Sequence, residues 1–271
     1  MSKTDFSGQV VWITGASSGI GEALALQFAQ AGSKLALSAR RENELQRVKD
    51  LCLQAGAQDV LVVPLDVTDE AAMPGAVEQV RTAIGPIDML INNAGLSQRS
   101  KCIDTEMAVY RQIFEVDVIG QIALTKAVLP GMLAQGSGHI AITSSVAGKV
   151  GAPHRTGYCA AKHAVMGFFD ALRAEVHAQG IRVTTITPGF IRTMVSDNAL
   201  KGDGTRFDRT DSNIAKGMDV DECAKVIMKG FRKVSSPAWY SNSVQKSVIR
   251  IKSRYQSHFI RALFPSNLSN Q

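Results

Sequence analysis

Short apolar runs alternate along this chain with longer segments whose apolar residues recur at helical spacing. Residues 9–14 (QVVWIT), 34–38 (KLALS), 60–65 (VLVVPL), 88–92 (DMLIN), 139–144 (HIAITS) and 181–187 (IRVTTIT) are of the first kind. Their near-continuous hydrophobicity is that of strands covered on both faces, as in a parallel sheet. Between them, Ala23, Leu24, Phe28 and Ala31 share one face of a helix over 22–31. Further helices are predicted over 42–55, closed by Gly56, over 70–83, stopped by Gly85-Pro86, over 107–134 as one long helix or a pair, and over 158–179. Strict alternation predicts an α/β fold with helices on both faces of one parallel sheet, and the right-handed crossover makes it doubly wound. About seven strands are expected, of which these six can be placed. After Pro188-Gly189 the periodicity fails, and residues 194–218 are polar and glycine-containing. A stretch of that kind past a strand's carboxyl end is expected to cover a ligand crevice as a lid.

Composition adds a few constraints. At 271 residues with 45% hydrophobic and 6% aromatic content, the chain is expected to form one domain over 1–271 around one well-filled core. It contains no uninterrupted apolar run of about 18 residues, and the start MSKTDFSGQVVWITG has no cleavable signal pattern. A cytoplasmic location is the expectation. Cys52, Cys102, Cys159 and Cys223 are far apart without metal-ligand spacing, so four reduced thiols are expected, with no disulfide and no metal. The net charge of +6 is uneven: from Cys223 onward there are nine basic residues and no acid, leaving −3 for the first 222. With the positive charge confined to the tail and no groove-reading motif, nucleic acid is not an expected partner.

The chemistry begins in the turn Thr14-Gly15-Ala16-Ser17-Ser18-Gly19-Ile20-Gly21. Glycines directly after a strand let backbone approach a pyrophosphate, and the helix that follows offers free N–H groups and a positive dipole end. Binders of NAD usually end the second strand with a carboxylate that accepts from the ribose 2′-hydroxyl. Here Ala39 occupies that place and Arg40-Arg41 follow. A guanidinium pairs bidentately with phosphate, so Arg40 is the candidate ligand of a 2′-phosphate and NADP(H) the expected cofactor. Two arginines solvating a loop is the plain alternative. Farther on, Tyr158 and Lys162 are i and i+4 on one helix face, and Ser145 precedes Tyr158 by thirteen residues. A phenol with a pKa near 10 is a poor acid or base at neutral pH, and a neighbouring ammonium favours its phenolate. Tyr158 would then pass a proton to a carbonyl oxygen or take it from an alcohol, while Ser145 hydrogen-bonds that oxygen. The adjacent Ser144 is expected to point to the opposite face.

The spacing Thr-Gly-x3-Gly-x-Gly, Asn92-Asn93-Ala94-Gly95, the Ser145/Tyr158/Lys162 set and Pro188-Gly189-Phe190-Ile191-Arg192-Thr193 occur in one order. In these the chain resembles the short-chain dehydrogenase/reductases, with a Rossmann-like fold, from about Gly8 to Thr193. The resemblance implies that Ser17, Ser18, Gly19 and Ile20 line the phosphates, with Gly15 and Gly21 in the same motif. It further implies that Asp66 and Val67 border the adenine, and that Asn93, Ala94 and Gly95 run along the cofactor. Pro188, Gly189, Ile191 and Thr193 would lie at the nicotinamide, the last two holding its carboxamide. Asp66 could equally be a strand-end cap. One position departs from the pattern: three residues before Gly120 the family has asparagine, completing a tetrad with a proton-relaying water, and this chain has Asp117. An ionised Asp117 would stabilise a protonated Lys162 and oppose a Tyr158 phenolate.

The stretches GQIALTKAVLPGML, YCAAKHAVMGFFDALRAEV and PGFIRTMVSDNALKGDGTRF are similar to the dehydrogenase/reductase member-7 group, associated with steroid, retinoid and other lipophilic carbonyl substrates. Ser97, Gln98, residues 147–150 and 152–156, Phe190 and the lid would face a largely apolar pocket with few charges. The expected function is NADP(H)-dependent hydride transfer to or from a lipophilic ketone, aldehyde or secondary alcohol. Reduction of a 3-oxoacyl thioester is an alternative on the same fold. An NADP(H)-binding scaffold without turnover is an alternative of another class. Family precedent pairs subunits through the helices of 107–134 and 158–179, so a homodimer or homotetramer is expected. Residues 240–271 form a basic extension. Within it 243–264 reads as a basic amphipathic helix, set either on an anionic membrane surface as a peripheral contact or against the body of the protein.

Overall fold

A computed structural model describes residues 6–195, 197–209, 212–234 and 248–251. Among the described residues seven strands form one sheet: β1 (Val10–Thr14), β2 (Lys34–Ser38), β3 (Asp59–Val62), β4 (Met89–Asn92), β5 (Gly138–Thr143), β6 (Ile181–Pro188) and β7 (Val248–Ile251). Every pair is parallel, in the order β3-β2-β1-β4-β5-β6-β7. The chain winds outward from β1 through β2 to β3, then crosses to the other side of β1 for β4 and winds outward again. That reversal between β1 and β4 opens a crevice at the carboxyl ends of the two strands.

Successive residues of β1 face opposite sides, and both sides are apolar. Val11 and Ile13 join Leu24 and Phe28 of α1 (Gly19–Gln30) and Leu45 and Val48 of α2 (Glu42–Ala55) in one core layer. Val10 and Trp12 join the other layer, formed by α3 (Met73–Ile84), α4 (Met107–Phe114), α5 (Gly120–Gln135) and α6 (Thr156–Val176). A single π-helical turn, Glu115–Ile119, connects α4 to α5, so the segment read as one helix or a pair is two helices joined without a break in direction. The span Met107–Gln135 is long and apolar enough to cross a membrane by length and composition. Its Val109, Ile113, Leu124, Val128 and Met132 are buried in the second core layer.

Two elements differ from the sequence reading. Beyond the short α7 (Ser212–Ala215), an unpredicted helix, α8 (Val220–Val234), lays Cys223, Ala224, Ile227, Met228 and Phe231 against α1, with the Phe231 and Phe28 rings 6.1 Å apart. The basic segment 243–264 was expected to be helical, yet Val248–Ile251 is a strand paired with Thr185–Pro188 of β6. Edge N–H and C=O groups of β6 provide a template there, and the β-branched residues of VIRI suit a strand. The rest of the 240–271 extension lies outside the described residues. All four cysteines are free thiols, as expected, and burial pushes Cys52 and Cys223 up to about 12.

Gly120 starts α5 where the helix meets the turn after β3: a Cβ there would lie 2.1 Å from the Val67 carbonyl oxygen. Gly120→Ala is therefore expected to cost at least about 2 kcal/mol in urea unfolding. Gly75→Ala, in α3 with nothing within 4 Å of the added methyl, should raise stability by roughly 0.5–1 kcal/mol. Equal effects of the two substitutions would contradict this packing.

Candidate active site

The crevice between the β1 and β4 ends is closed at its base by one hydroxyl. Thr14 Oγ1, at the last residue of β1, accepts from the N–H groups of Asn93 (2.9 Å) and Ala94 (3.0 Å), just past β4. Asn93 Nδ2 returns bonds to the carbonyls of Thr14 (3.2 Å) and Gly15 (3.4 Å). Gly15 has φ +63°, and a Cβ on it would meet Ala94 Cα at 2.9 Å, so a bare α-carbon is required for the two turns to lie together. Above them opens a cleft of about 770 Å³.

One half of the cleft has the makings of a dinucleotide site. Gly15, Ser17, Ser18, Gly19, Ile20, Arg40, Asp66, Val67, Asn93, Ala94 and Gly95 line it, and Pro188, Gly189, Ile191 and Thr193 line it from the β6 side. α1 begins at Gly19 with no side chain capping it, leaving its first N–H groups directed at the cleft for an anion. Gly19 (φ +60°) stands opposite Thr193; a Cβ there would come within 3.3 Å of Thr193 Cγ2 and narrow the passage. These features fit a pyrophosphate-bearing group. Gly21 does not line the cleft: its α-carbon packs under the turn, where a Cβ would lie 2.2 Å from the Gly15 carbonyl oxygen. Its place in the motif is one of packing. Asp66 lines the cleft and also acts as a cap, its Oδ1 accepting from Thr68 N (3.0 Å) and Oγ1 (2.8 Å). Arg41 lines the cleft beside Arg40, and its Nη2 donates to Ser17 Oγ at 3.2 Å, tying the second strand's end to the glycine turn.

Ser145, Tyr158 and Lys162 converge from two elements. Ser145 follows β5 and its Oγ accepts from Ala147 N at 3.1 Å, leaving the hydroxyl proton to donate elsewhere. Tyr158 and Lys162 sit on α6, with Lys162 Nζ 5.6 Å from the Tyr158 ring centroid. All three line the cleft. Ser144, expected to point to the face opposite Ser145, also lines the cleft, and its Oγ donates to the Lys162 carbonyl at 3.0 Å.

Asp117 is brought to Lys162 by the π-helical turn. An α-helix widened by one residue re-aims the side chain at that point, and Asp117 enters the interior with 0% exposure. Its Oδ2 lies 3.1 Å from Lys162 Nζ, and its Oδ1 accepts from Leu96 N at 2.6 Å. Lys162 also donates to the Thr143 carbonyl at 3.1 Å. Burial raises the Asp117 pKa above the ordinary carboxylate value, with the Lys162 ammonium and the Leu96 N–H offsetting part of that rise. For Lys162, burial acts to lower the pKa, but the Asp117 carboxylate and Tyr158 outweigh it and hold the ammonium above the ordinary lysine value. Asp117 itself does not line the cleft; it is a positioning residue behind Lys162.

The other half of the cleft is lined by Leu96, Ser97, Gln112, Val116, Val146, Ala147, Ala152, Phe190 and lid residues including Met194, Val195, Leu200 and Ile214. Gln98, expected to face a substrate, is instead structural: its amide donates to Ser100 and Thr105 and accepts from Gly157 N at 2.8 Å. Val150 and Pro153 do not line the cleft either. Gln112 and Val116 were not foreseen, nor was the role of Gln121, whose amide donates to the Ala94 carbonyl. Gln112 is exposed on α4, Val116 half-buried on the π-helical turn and Gln121 buried on α5, and only the convergence of these elements with the β4 turn makes them part of the site.

Comparison with known proteins agrees with this geometry. The model of the short chain dehydrogenase family matches residues 9–203. The human protein dehydrogenase/reductase SDR family member 7 is 41% identical over 241 residues, which is 88% of this chain and 71% of that protein. Among solved structures, levodione reductase superposes with a TM-score of 0.80 at 29% identity, covering 93% of this chain and 99% of the other. A short chain dehydrogenase/reductase from Burkholderia phymatum in complex with NAD gives a TM-score of 0.78 at 26% identity, covering 91% and 89%.

The buried ion pair yields a stability test with a definite sign. Lys162→Met strands the Asp117 carboxylate, and a loss of about 3 kcal/mol is expected near neutral pH. Without the ammonium the carboxyl's folded pKa rises further, so the folded state takes up its proton first as pH falls. The deficit relative to the parent protein should therefore shrink in acid. A deficit constant from pH 7 to pH 5 in denaturant titrations would show that the charge on Asp117 is not what Lys162 balances.

Proposed function

The chain belongs to the short chain dehydrogenase family of oxidoreductases, and on that premise we propose that it transfers hydride between NADP(H) and a lipophilic ketone, aldehyde or secondary alcohol. The convergence of Ser145, Tyr158 and Lys162 on one wall of the cleft carries this reading. A bound nicotinamide supplies or accepts the hydride at the carbonyl carbon. Ser145 Oγ, with its proton free to donate, hydrogen-bonds the substrate oxygen and stabilises the negative charge that develops on it. Tyr158 gives its hydroxyl proton to that oxygen in reduction and recovers it from the alcohol in oxidation. Lys162 keeps a full positive charge near the phenol and so favours its ionised form at the moment of transfer. Asp117 keeps Lys162 charged and in place.

The choice of NADP(H) rests on the end of β2. No carboxylate stands there; Ala39, Arg40 and Arg41 line the cleft instead. Arg41, held by Ser17, adds a second guanidinium beside Arg40 at the end of β2, which supports a 2′-phosphate ligand there. The apolar residues of the second half, Val146, Phe190, Met194, Val195, Leu200 and Ile214, support a lipophilic body for the substrate.

Following dinucleotide absorbance at 340 nm with a panel of lipophilic ketones should show NADPH favoured over NADH by at least about tenfold in kcat/KM. Arg40→Ala combined with Arg41→Ala should erase most of that preference through KM. A preference for NADH in the parent protein would refute the NADP(H) assignment. Tyr158→Phe should lower turnover by at least about a thousandfold while dinucleotide binding, followed by fluorescence, persists. Asp117→Asn is expected to move the alkaline limb of the pH–rate profile to lower pH, since Lys162 loses the carboxylate that holds its proton. Superimposable profiles would remove Asp117 from the mechanism.

A further inference from the structure

Behind the cleft, one face of α5 carries a ladder of polar side chains. We propose that Gln121, supported by Thr125, is a positioning residue that fixes the turn after β4 for dinucleotide binding and keeps the pair of Asp117 and Lys162 in line with it. Asp117, Gln121 and Thr125 follow one another at intervals of four residues, from the π-helical turn into α5. They meet every second residue of the segment that leaves β4, taken in the opposite direction. Asp117 Oδ1 accepts from Leu96 N (2.6 Å), Gln121 Nε2 donates to the Ala94 carbonyl, and Thr125 Oγ1 accepts from Asn92 Nδ2 (2.9 Å). Thr125 directs its own proton to the Gln121 carbonyl at 2.7 Å, which leaves its oxygen to accept. Four residues of helix advance about 6 Å and two residues of extended chain about 6.6 Å, so the two rails stay in register over three rungs.

The middle rung joins the two halves of the machinery. Ala94 is gripped from both sides, its N–H by Thr14 of β1 (3.0 Å) and its carbonyl by Gln121 of α5. Ala94, Gly95 and Leu96 line the cleft, whereas Gln121 does not, so any influence of Gln121 on a ligand passes through this backbone. Two residues on, the Leu96 N–H is held by the carboxylate that faces Lys162. Burial makes the choice of glutamine informative. Gln121 is 1% exposed, and its Oε1 has no hydrogen-bond partner among the described residues. A buried amide with one end unmet costs stability, and an apolar side chain of similar length would remove that cost while leaving the Ala94 carbonyl unmet. The two penalties offset, so stability alone gives no reason for glutamine, whereas a fixed Ala94 carbonyl does. The inference rests on the proposed function in one respect, that a bound dinucleotide lies along the turn after β4.

The test is amide hydrogen exchange at Asn93, Ala94 and Leu96, followed by NMR on the unliganded protein, together with dinucleotide binding and turnover. Gln121→Met should speed exchange at Ala94 and Leu96 at least about tenfold while the thermal midpoint stays within about 4 °C of the parent's. Its dissociation constant and KM for NADPH should rise at least about fivefold, with the KM of the carbonyl substrate unmoved. Thr125→Val should give the same pattern more weakly, and Thr125→Ser, which keeps the hydroxyl, should match the parent. That second pair decides the matter if Gln121→Met does not fold. Unchanged exchange, unchanged dinucleotide affinity, or losses that come only with a much lower midpoint would overturn the proposal, the last by making the ladder a structural tie. A parent protein that turns over no carbonyl with NADPH or NADH would sink the hydride-transfer reading, and the exchange pattern of the unliganded variants would still decide the ladder.

Discussion

Burying two opposite charges side by side is costly unless each is paired and hydrogen-bonded, and the site is built around meeting that condition for Asp117 and Lys162. Four separate segments are committed to it. The π-helical turn delivers the carboxylate, Leu96 after β4 supplies an N–H, Thr143 at the end of β5 supplies a carbonyl, and α6 brings the ammonium. Gly95 lies against the pair: a Cβ there would be in ordinary contact with it, 3.4 Å from Lys162 Nζ and 3.6 Å from both Asp117 oxygens. A pair so enclosed fixes the positions of β4, β5, α5 and α6 relative to each other, and Tyr158, one turn before Lys162, inherits that precision.

The sheet supplies the other constraint. Parallel strands need crossovers, and crossovers of one hand place every strand's carboxyl end on the same side. The loops carrying Gly15, Asp66, Asn93, Ser145 and Gly189 therefore share one edge although they are spread over 175 residues of sequence. Within that edge, strand order sorts the chemistry. Arg40, Arg41 and Asp66 follow β2 and β3 on one side of β1, whereas Ser145 and the lid follow β5 and β6 on the other. The dinucleotide half and the substrate half of the cleft are thus separated by topology, with Thr14 holding the seam between them.

The sequence by itself determined the six placed strands, the helices between them and the candidate reacting groups. Strand and helix periods are local, and the glycine turn, Asn93-Ala94-Gly95, Ser145, Tyr158 and Lys162 occur at spacings that survive without knowledge of the fold. Tertiary structure decided what depends on distant segments meeting. It made Gly21 a packing residue, Gln98 a structural tie and Arg41 a partner of Ser17. The tail residues Val248–Ile251 became a strand because an open edge of β6 offered hydrogen bonds, a fact no pattern within 243–264 could carry. It also turned Asp117, one departure from a motif, into half of a buried ion pair. The reason is the same in each case: side-chain spacing encodes which face a residue shows, while the group it meets there is set by long-range packing.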